Sequence, residues 1–378
     1  VSPLYEILRN LALSVIVTVV FLAALEGVAR FGGLAPPRTL AYPDMESWER
    51  YPGPFEPGQD FVDRIFPNLP HHIRINSLGF RGEDFPLEKA EGSFRILCVG
   101  DSYVFGDYVQ NDETFPAALQ SALGSALHGK KAEVINGGVN GYTILDEAEL
   151  AVEKGFGLDP DLLVLTFVMN DLADMTRRLS SRENQRIEAQ RMSESFLTPI
   201  KKHLRQTALY NWLFKLKAGA MARSGADPTL QAIPQRHLLR PPFGPETEAL
   251  FERYGSELIG LARAAEERGV GFLFVLFPFY EQSVKGAPSE AQAHLAALAS
   301  QAGITTVDLL PAFLARGAEA SALYLMPRNH HPSAEGYRLA ASVVAEAIVG
   351  MQAASLPGGS ASGAGLLPLG GAGAPLHP

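Results

Sequence analysis

Cysteine is nearly absent. The chain has one, Cys98, in 378 residues, so no intramolecular disulfide can staple it. Its place inside the apolar run "FRILCVG" reads as a small buried residue of a strand. A basic excess is missing as well: 32 Lys and Arg stand against 41 Asp and Glu, a formal net charge of −9. That balance excludes a general nucleic-acid binder. The adjacent pairs His71-His72 and His330-His331 lack the carboxylate or cysteine spacing of a zinc site, so neither a metal nor any other cofactor is expected. Internal repeats are lacking too. What the chain has in quantity is apolar surface, with 47% hydrophobic and 19% charged residues. That is the composition of a globular protein with a sizeable core.

The longest apolar run lies near the N-terminus. From Leu11 to Leu25, "LALSVIVTVVFLAAL", there is no charge, and apolar character resumes after Glu26 with "GVARF". A bilayer span takes about 20 mostly apolar residues. Residues 1–31 therefore read as a membrane anchor with Glu26 near the interface. No clean A-x-A site follows that would mark a cleaved signal peptide, and the alternative of a buried soluble helix fits the Val/Ile/Leu density less well. Arg9, Arg30 and Arg38 give little orientation signal. The ten residues ahead of the span lead us to expect the rest of the chain in the periplasm or outside the cell.

Residues 32–93 are rich in Pro, Gly and turn signals and read as an irregular wrap ending in "RINSLGFRGEDFP". From residue 94 strands and helices alternate. Continuous apolar runs at 94–100, 132–137, 161–168, 271–278 and 305–309 predict five parallel strands covered on both faces. The helical patterns between them complete a three-layer α/β/α sandwich over 94–350. Residues 172–245 interrupt the alternation and carry much of the basic charge, including the amphipathic "PIKKHLRQTALYNWLFKLK". A helical insertion with a solvated basic face is the preferred reading over a surface that docks on anionic headgroups. The Gly/Ala/Pro/Ser tail, 351–378, reads as disordered.

Chemistry concentrates at the strand ends. The first strand of the alternation ends in "VGDSYVFG", which sets Ser102 where ligands bind parallel sheets. A serine needs a base and oxyanion donors before it is a nucleophile, and alone Gly-Asp-Ser is more often a helix cap than a catalytic serine. The second glycine of a G-x-S-x-G elbow is lacking, which disfavours an α/β-hydrolase. The second strand ends in the glycine-rich "INGGVNGYT", the third in "VMNDL" with Asn170, and the last helix follows "NHHPSAEGY". Asp101 fits a structural role, accepting backbone N–H bonds in its turn.

These four blocks, "GDSYVFG", "GGVNGYT", "VMND" and "HHPSAEGY", resemble those of the SGNH (GDSL-type) hydrolases, over roughly residues 94–350. The N-terminal span and "NSLGFRGEDFP" resemble its membrane-anchored bacterial members. The resemblance implies a flavodoxin-like sandwich and a serine esterase or acyl hydrolase with Ser102 as nucleophile. The Ser102 and Gly141 N–H groups and the Asn170 amide would form the oxyanion hole. His331, followed by proline and a helix start, would be the base, and His330 a neighbour on the turn. The acid that the family places three residues before the histidine is replaced by Arg328, and Asn329, two before, is no carboxylate either. The candidates for orienting the imidazole are therefore a backbone carbonyl at Arg328 or nearby, including Asn329, and a carboxylate from elsewhere, among Asp308, Asp171 and Asp107. A degenerate, non-catalytic binding protein is the remaining reading. The substrate class implied is an acyl ester, an acylated glycan or lipid included. The alternative activities are O-acyl transfer to, or deacetylation of, a cell-envelope or exported polysaccharide.

Overall fold

The computed structural model describes residues 3–31, 40, 50–63, 70–124, 126–127, 129–175, 207–208, 242–325 and 329–354. Most of the insertion, the tail beyond 354 and Arg328 lie outside the described residues. The chain divides into two units, residues 1–38 with 181–233, and residues 39–180 with 234–378.

In the first unit α1 (Pro3–Ala29) runs 27 residues. At about 1.5 Å per residue that is ample for the ~30 Å of a bilayer's hydrocarbon core. Its best window has mean hydropathy 2.4 and none of that window is buried. The helix is long and apolar enough to be a membrane anchor or a signal sequence. Glu26 pairs with Arg30 at 2.7 Å and accepts the Ala208 N–H at 2.8 Å.

The second unit is built on a five-stranded sheet. In chain order its strands are β3 (Ser93–Gly100), β4 (Lys131–Gly138), β5 (Leu162–Phe167), β6 (Gly271–Leu276) and β7 (Thr306–Asp308). All neighbours are parallel, in the spatial order β4-β3-β5-β6-β7. Alternate residues of β3 feed different cores. Ile96 and Cys98 pack with Phe115 and Leu119 of α3 (Phe115–Leu123) and with Tyr337 and Val344 of α9 (Ala334–Ala354). Leu97 and Val99 face α4 (Ile144–Glu153), α5 (Pro245–Glu266) and α7 (Glu290–Gln301), with Phe251, Tyr254 and Leu295 in the layer. Burial on both faces is why these strands read as continuous apolar runs. The three-layer α/β/α fold expected from the sequence is the one observed.

The wrap is not wholly irregular. β1 (Asp60–Asp63) and β2 (His71–Arg74) pair antiparallel, and Phe61 and Ile73 join a small cluster with Phe55, Phe105 and Val139.

The chain starts the sheet at its interior. From β3 it moves to β4 on one side, then crosses to β5 on the other. That reversal opens a crevice at the strands' C-terminal ends, the usual ligand site of such folds. Ser102, Gly141 and Asn170 follow these three strands.

Candidate active site

Ser102 opens a single helical turn, α2 (Ser102–Phe105), capped by Asp101, whose Oδ1 accepts the Tyr103 N–H at 2.8 Å. A first-turn N–H has no intrahelical acceptor, so that of Ser102 is available to a ligand. The turn sits tight on the sheet because Gly138 lacks a side chain: a Cβ there would lie 2.1 Å from the Phe105 nitrogen.

The Ser102 Oγ lies 2.9 Å from His331 Nε2 across 229 residues of sequence. The partner of the other ring nitrogen settles the tautomer. Asn329 Oδ1 accepts the His331 backbone N–H at 2.9 Å and also contacts His331 Nδ1. A backbone N–H is only a donor, so the amide atom facing it is the oxygen. The ring nitrogen against that oxygen must then carry the proton, which leaves the Nε2 lone pair directed at Ser102. The ring of Tyr108 packs edge-on to His331 at 5.2 Å.

Among the orienters weighed from sequence, Asn329 meets the imidazole through its side chain. Arg328 lies outside the described residues. Asp308 is a correction: its Oδ1 accepts from the Leu310 N–H at 2.9 Å and from Gln292 Nε2 at 3.0 Å, at the far strand β7. Asp107 instead accepts two 2.9 Å bonds from the Asn140 amide, and Asp171 accepts the Val168 N–H at 2.9 Å. His330 turns away from the serine. Its Nδ1 meets Glu281 at 3.0 Å, and its carbonyl accepts the Tyr103 hydroxyl at 3.1 Å.

Gly141 holds φ +74°, in a turn closed by the Tyr142 N–H to the Val139 carbonyl at 3.1 Å. That left-handed position suits glycine. Asn170 arrives at the same edge with its amide committed: Nδ2 donates to Asp101 Oδ2 at 2.9 Å and to Asp174 Oδ2 at 3.2 Å.

Electrostatics sort these groups. Burial, followed by the nearby His330, lowers the His331 pKa to about 4, so the imidazole is neutral at ordinary pH. Burial raises Asp107 to about 6 and pushes Asp101 upward, the latter opposed by the Asn170 and Tyr103 hydrogen bonds. Behind them Glu147 and Asp171 are fully buried, and burial holds both carboxyls well above the usual range.

The sequence blocks pointed to Ser102 and His331, and Asn329 and Asp107 stood among the candidate orienters, while Tyr108 and Arg81 carry supporting contacts that no local pattern announced. For Asn329 the signal was its place two residues before the histidine, close enough to fold back onto its ring.

Residues 98–339 match the model of the GDSL-like lipase/acylhydrolase family. No curated protein matches the chain. Among solved structures, it is similar to the acetylxylan esterase Axe2 of Geobacillus stearothermophilus, at 15% identity and TM-score 0.40, covering 68% of this chain and 96% of that one. It is also similar to LAE5, an alpha/beta hydrolase from the metagenome of Lake Arreo, Spain, at 16% identity and TM-score 0.42, covering 71% and 99%. A putative lipolytic protein of the G-D-S-L family from Desulfitobacterium hafniense DCB-2 matches at 13% identity and TM-score 0.39, covering 67% and 99%. With the match spanning well over half of its length, the chain belongs to the GDSL-like lipase/acylhydrolase family and is a hydrolase of ester bonds.

Proposed function

We propose that the protein is a membrane-anchored serine acyl hydrolase working through an acyl-enzyme on Ser102. The observation that carries this reading is the 2.9 Å contact from Ser102 Oγ to His331 Nε2, on an imidazole whose other nitrogen is held protonated by Asn329. As Oγ attacks the ester carbonyl, His331 Nε2 takes the hydroxyl proton. The negative charge that develops on the carbonyl oxygen is met by the N–H groups of Ser102 and Gly141 and by the Asn170 amide. Asn170 reaches it by giving up the longer of its two carboxylate bonds, the 3.2 Å one to Asp174. The imidazolium then protonates the departing alkoxide. Water repeats the cycle on the acyl-enzyme and releases the acid.

An amide oxygen fixes the tautomer but stabilises imidazolium less than a carboxylate does. The assembly is a serine–histidine–asparagine relay, suited to an activated or small acyl ester. The apolar helix α1 supports anchoring at a membrane, with the hydrolase domain in the periplasm or outside the cell and an acylated glycan or lipid as the substrate class. Transfer of the same acyl group to a glycan hydroxyl would differ only in the acceptor.

A fluorophosphonate probe tests the nucleophile. The wild type is expected to label covalently, and Ser102→Ala to lose both labelling and ester hydrolysis, on the order of 10⁴-fold or more. A folded wild type that stays unlabelled would favour the binding-protein reading.

A further inference from the structure

The "NSLGFRG" stretch has no part in the chemistry above, yet its arginine reaches the catalytic edge. Arg81 is 3% exposed, and its guanidinium bonds main-chain carbonyls on both sides of residues 107–108. Nη1 donates to the Phe105 carbonyl at 3.0 Å and the Gly106 carbonyl at 2.6 Å, while Nη2 donates to the Val109 carbonyl at 2.8 Å. The group also lies 4.7 Å over the Phe105 ring. Between those anchored carbonyls stand two residues facing opposite halves of the site. The Asp107 carboxylate receives both 2.9 Å bonds from Asn140, next to Gly141. The Tyr108 ring meets that of His331 edge-on at 5.2 Å.

The backbone records this constraint. Tyr108 has φ +68°, left-handed and unfavourable for a bulky side chain. Such conformations persist where surrounding structure over-determines them. Five-donor guanidinium geometry supplies that determination, because a fixed fork can hold several carbonyls at once.

We propose that Arg81 is a positioning residue for catalysis: by clamping the carbonyls around Asp107-Tyr108, it sets the Tyr108 ring against His331 and Asp107 against the Asn140–Gly141 turn. The inference rests on the serine–histidine reading for its consequences in turnover, but its geometric content can be measured without turnover. Losing the Tyr108 ring removes the edge-on contact that fixes the imidazole plane, so that Nδ1 no longer stays seated against the Asn329 oxygen.

The test uses the full chain in detergent with nitrogen-15-labelled histidine, comparing wild type with Tyr108→Gly and Arg81→Lys. Nitrogen shifts of His331 report the tautomer directly. The wild type is expected as Nδ1–H, and both variants as a mixture. With an activated acetyl ester, kcat falls roughly tenfold to a hundredfold, the usual penalty for misplacement. KM stays within about twofold, because uniform binding is untouched. Tyr108→Gly removes the ring and suits the left-handed φ, so it decides the matter if Arg81→Lys does not fold. An unchanged His331 tautomer in Tyr108→Gly overturns the proposal. If fluorophosphonate fails to label the wild type, the nucleophile assignment falls, whereas the tautomer measurement still decides the role of Arg81 and Tyr108.

Discussion

Two arginines sit buried at opposite ends of the same sheet, Arg81 at 3% exposure and Arg95 at 0%. Both spread their guanidinium over main-chain carbonyls. Arg95, in β3 near the strands' N-terminal ends, donates to the carbonyls of Pro86, Leu87 and Leu158 at 2.6–2.8 Å and pairs with Glu133. Arg81 likewise binds carbonyls, but its nearest side-chain acceptor is the neutral Asn111, at 3.0 Å. Burial accordingly lowers the Arg81 pKa to about 10, with Asp107 opposing. One end of the sheet neutralises its buried cation. The other holds its cation, among the described residues, by carbonyls and an amide, with a left-handed tyrosine beside His331. Departures from local rules collect where a site must be held in shape.

The largest expected effect belongs to the neutralised end. Arg95→Met strands the Glu133 carboxylate, 17% exposed, and three carbonyls. Breaking a buried pair by removing one partner costs about 3–5 kcal/mol. For a domain of this size that lowers Tm by on the order of 10 °C. Below the transition, the rate of fluorophosphonate labelling per folded molecule should match the wild type. A fall in labelling rate with Tm intact would erase the division of labour between the two ends.

The same contrast explains what was legible in the sequence. Each of the five sheet strands was read within two residues of its observed ends, because burial on both faces leaves an uninterrupted apolar run. The hairpin β1–β2 was missed: four-residue strands such as "DFVD" and "HHIR", set among prolines and glycines, give too short a pattern. Ser102 and His331 were legible because strand and helix starts carry their own residue signatures. Arg81 was not, since an arginine in a turn-rich stretch looks solvated, and carbonyl partners some 25 residues away leave no trace in sequence. Asn329 was undervalued for a different reason. A search for negative charge passes over an amide whose oxygen contacts both the backbone N–H and Nδ1 of His331.

A second test separates close packing at the catalytic end from open helix surface. A Cβ at Gly138 would meet the Phe105 nitrogen at 2.1 Å and the Val104 carbonyl carbon at 2.6 Å, both backbone atoms of the turn that carries Ser102. Gly138→Ala should cost about 1–3 kcal/mol by overpacking and lower kcat by displacing the nucleophile. Gly260, in α5, has nothing within 4 Å of an added Cβ. Gly260→Ala should stabilise by about 0.5–1 kcal/mol through helix propensity and leave kcat unchanged. Chemical denaturation and ester hydrolysis read both variants, and equal effects would remove the contrast.

The finest test asks whether the missing charge beside His331 limits the enzyme. The His331 pKa is lowered to about 4, below the ordinary 6.5, because burial and then the nearby His330 disfavour imidazolium. The base is therefore neutral above pH ~4, and activity should fall only as pH drops through that value. The sign for stability is the same: the unfolded imidazole binds its proton first, so stability is lost between about pH 6.5 and 4 as pH falls. Asn329→Asp places a negative charge against Nδ1–H, which favours imidazolium and moves the acid limb of kcat/KM upward toward neutrality. At pH 8 the base stays neutral in either form, so the better-stabilised imidazolium of the transition state should raise kcat several-fold, roughly 1 kcal/mol. A pH profile of ester hydrolysis for the two proteins measures both shifts at once. An upward limb without faster turnover at pH 8 would mean that proton transfer does not limit the rate, and that the amide at Asn329 orients the imidazole as well as this reaction requires.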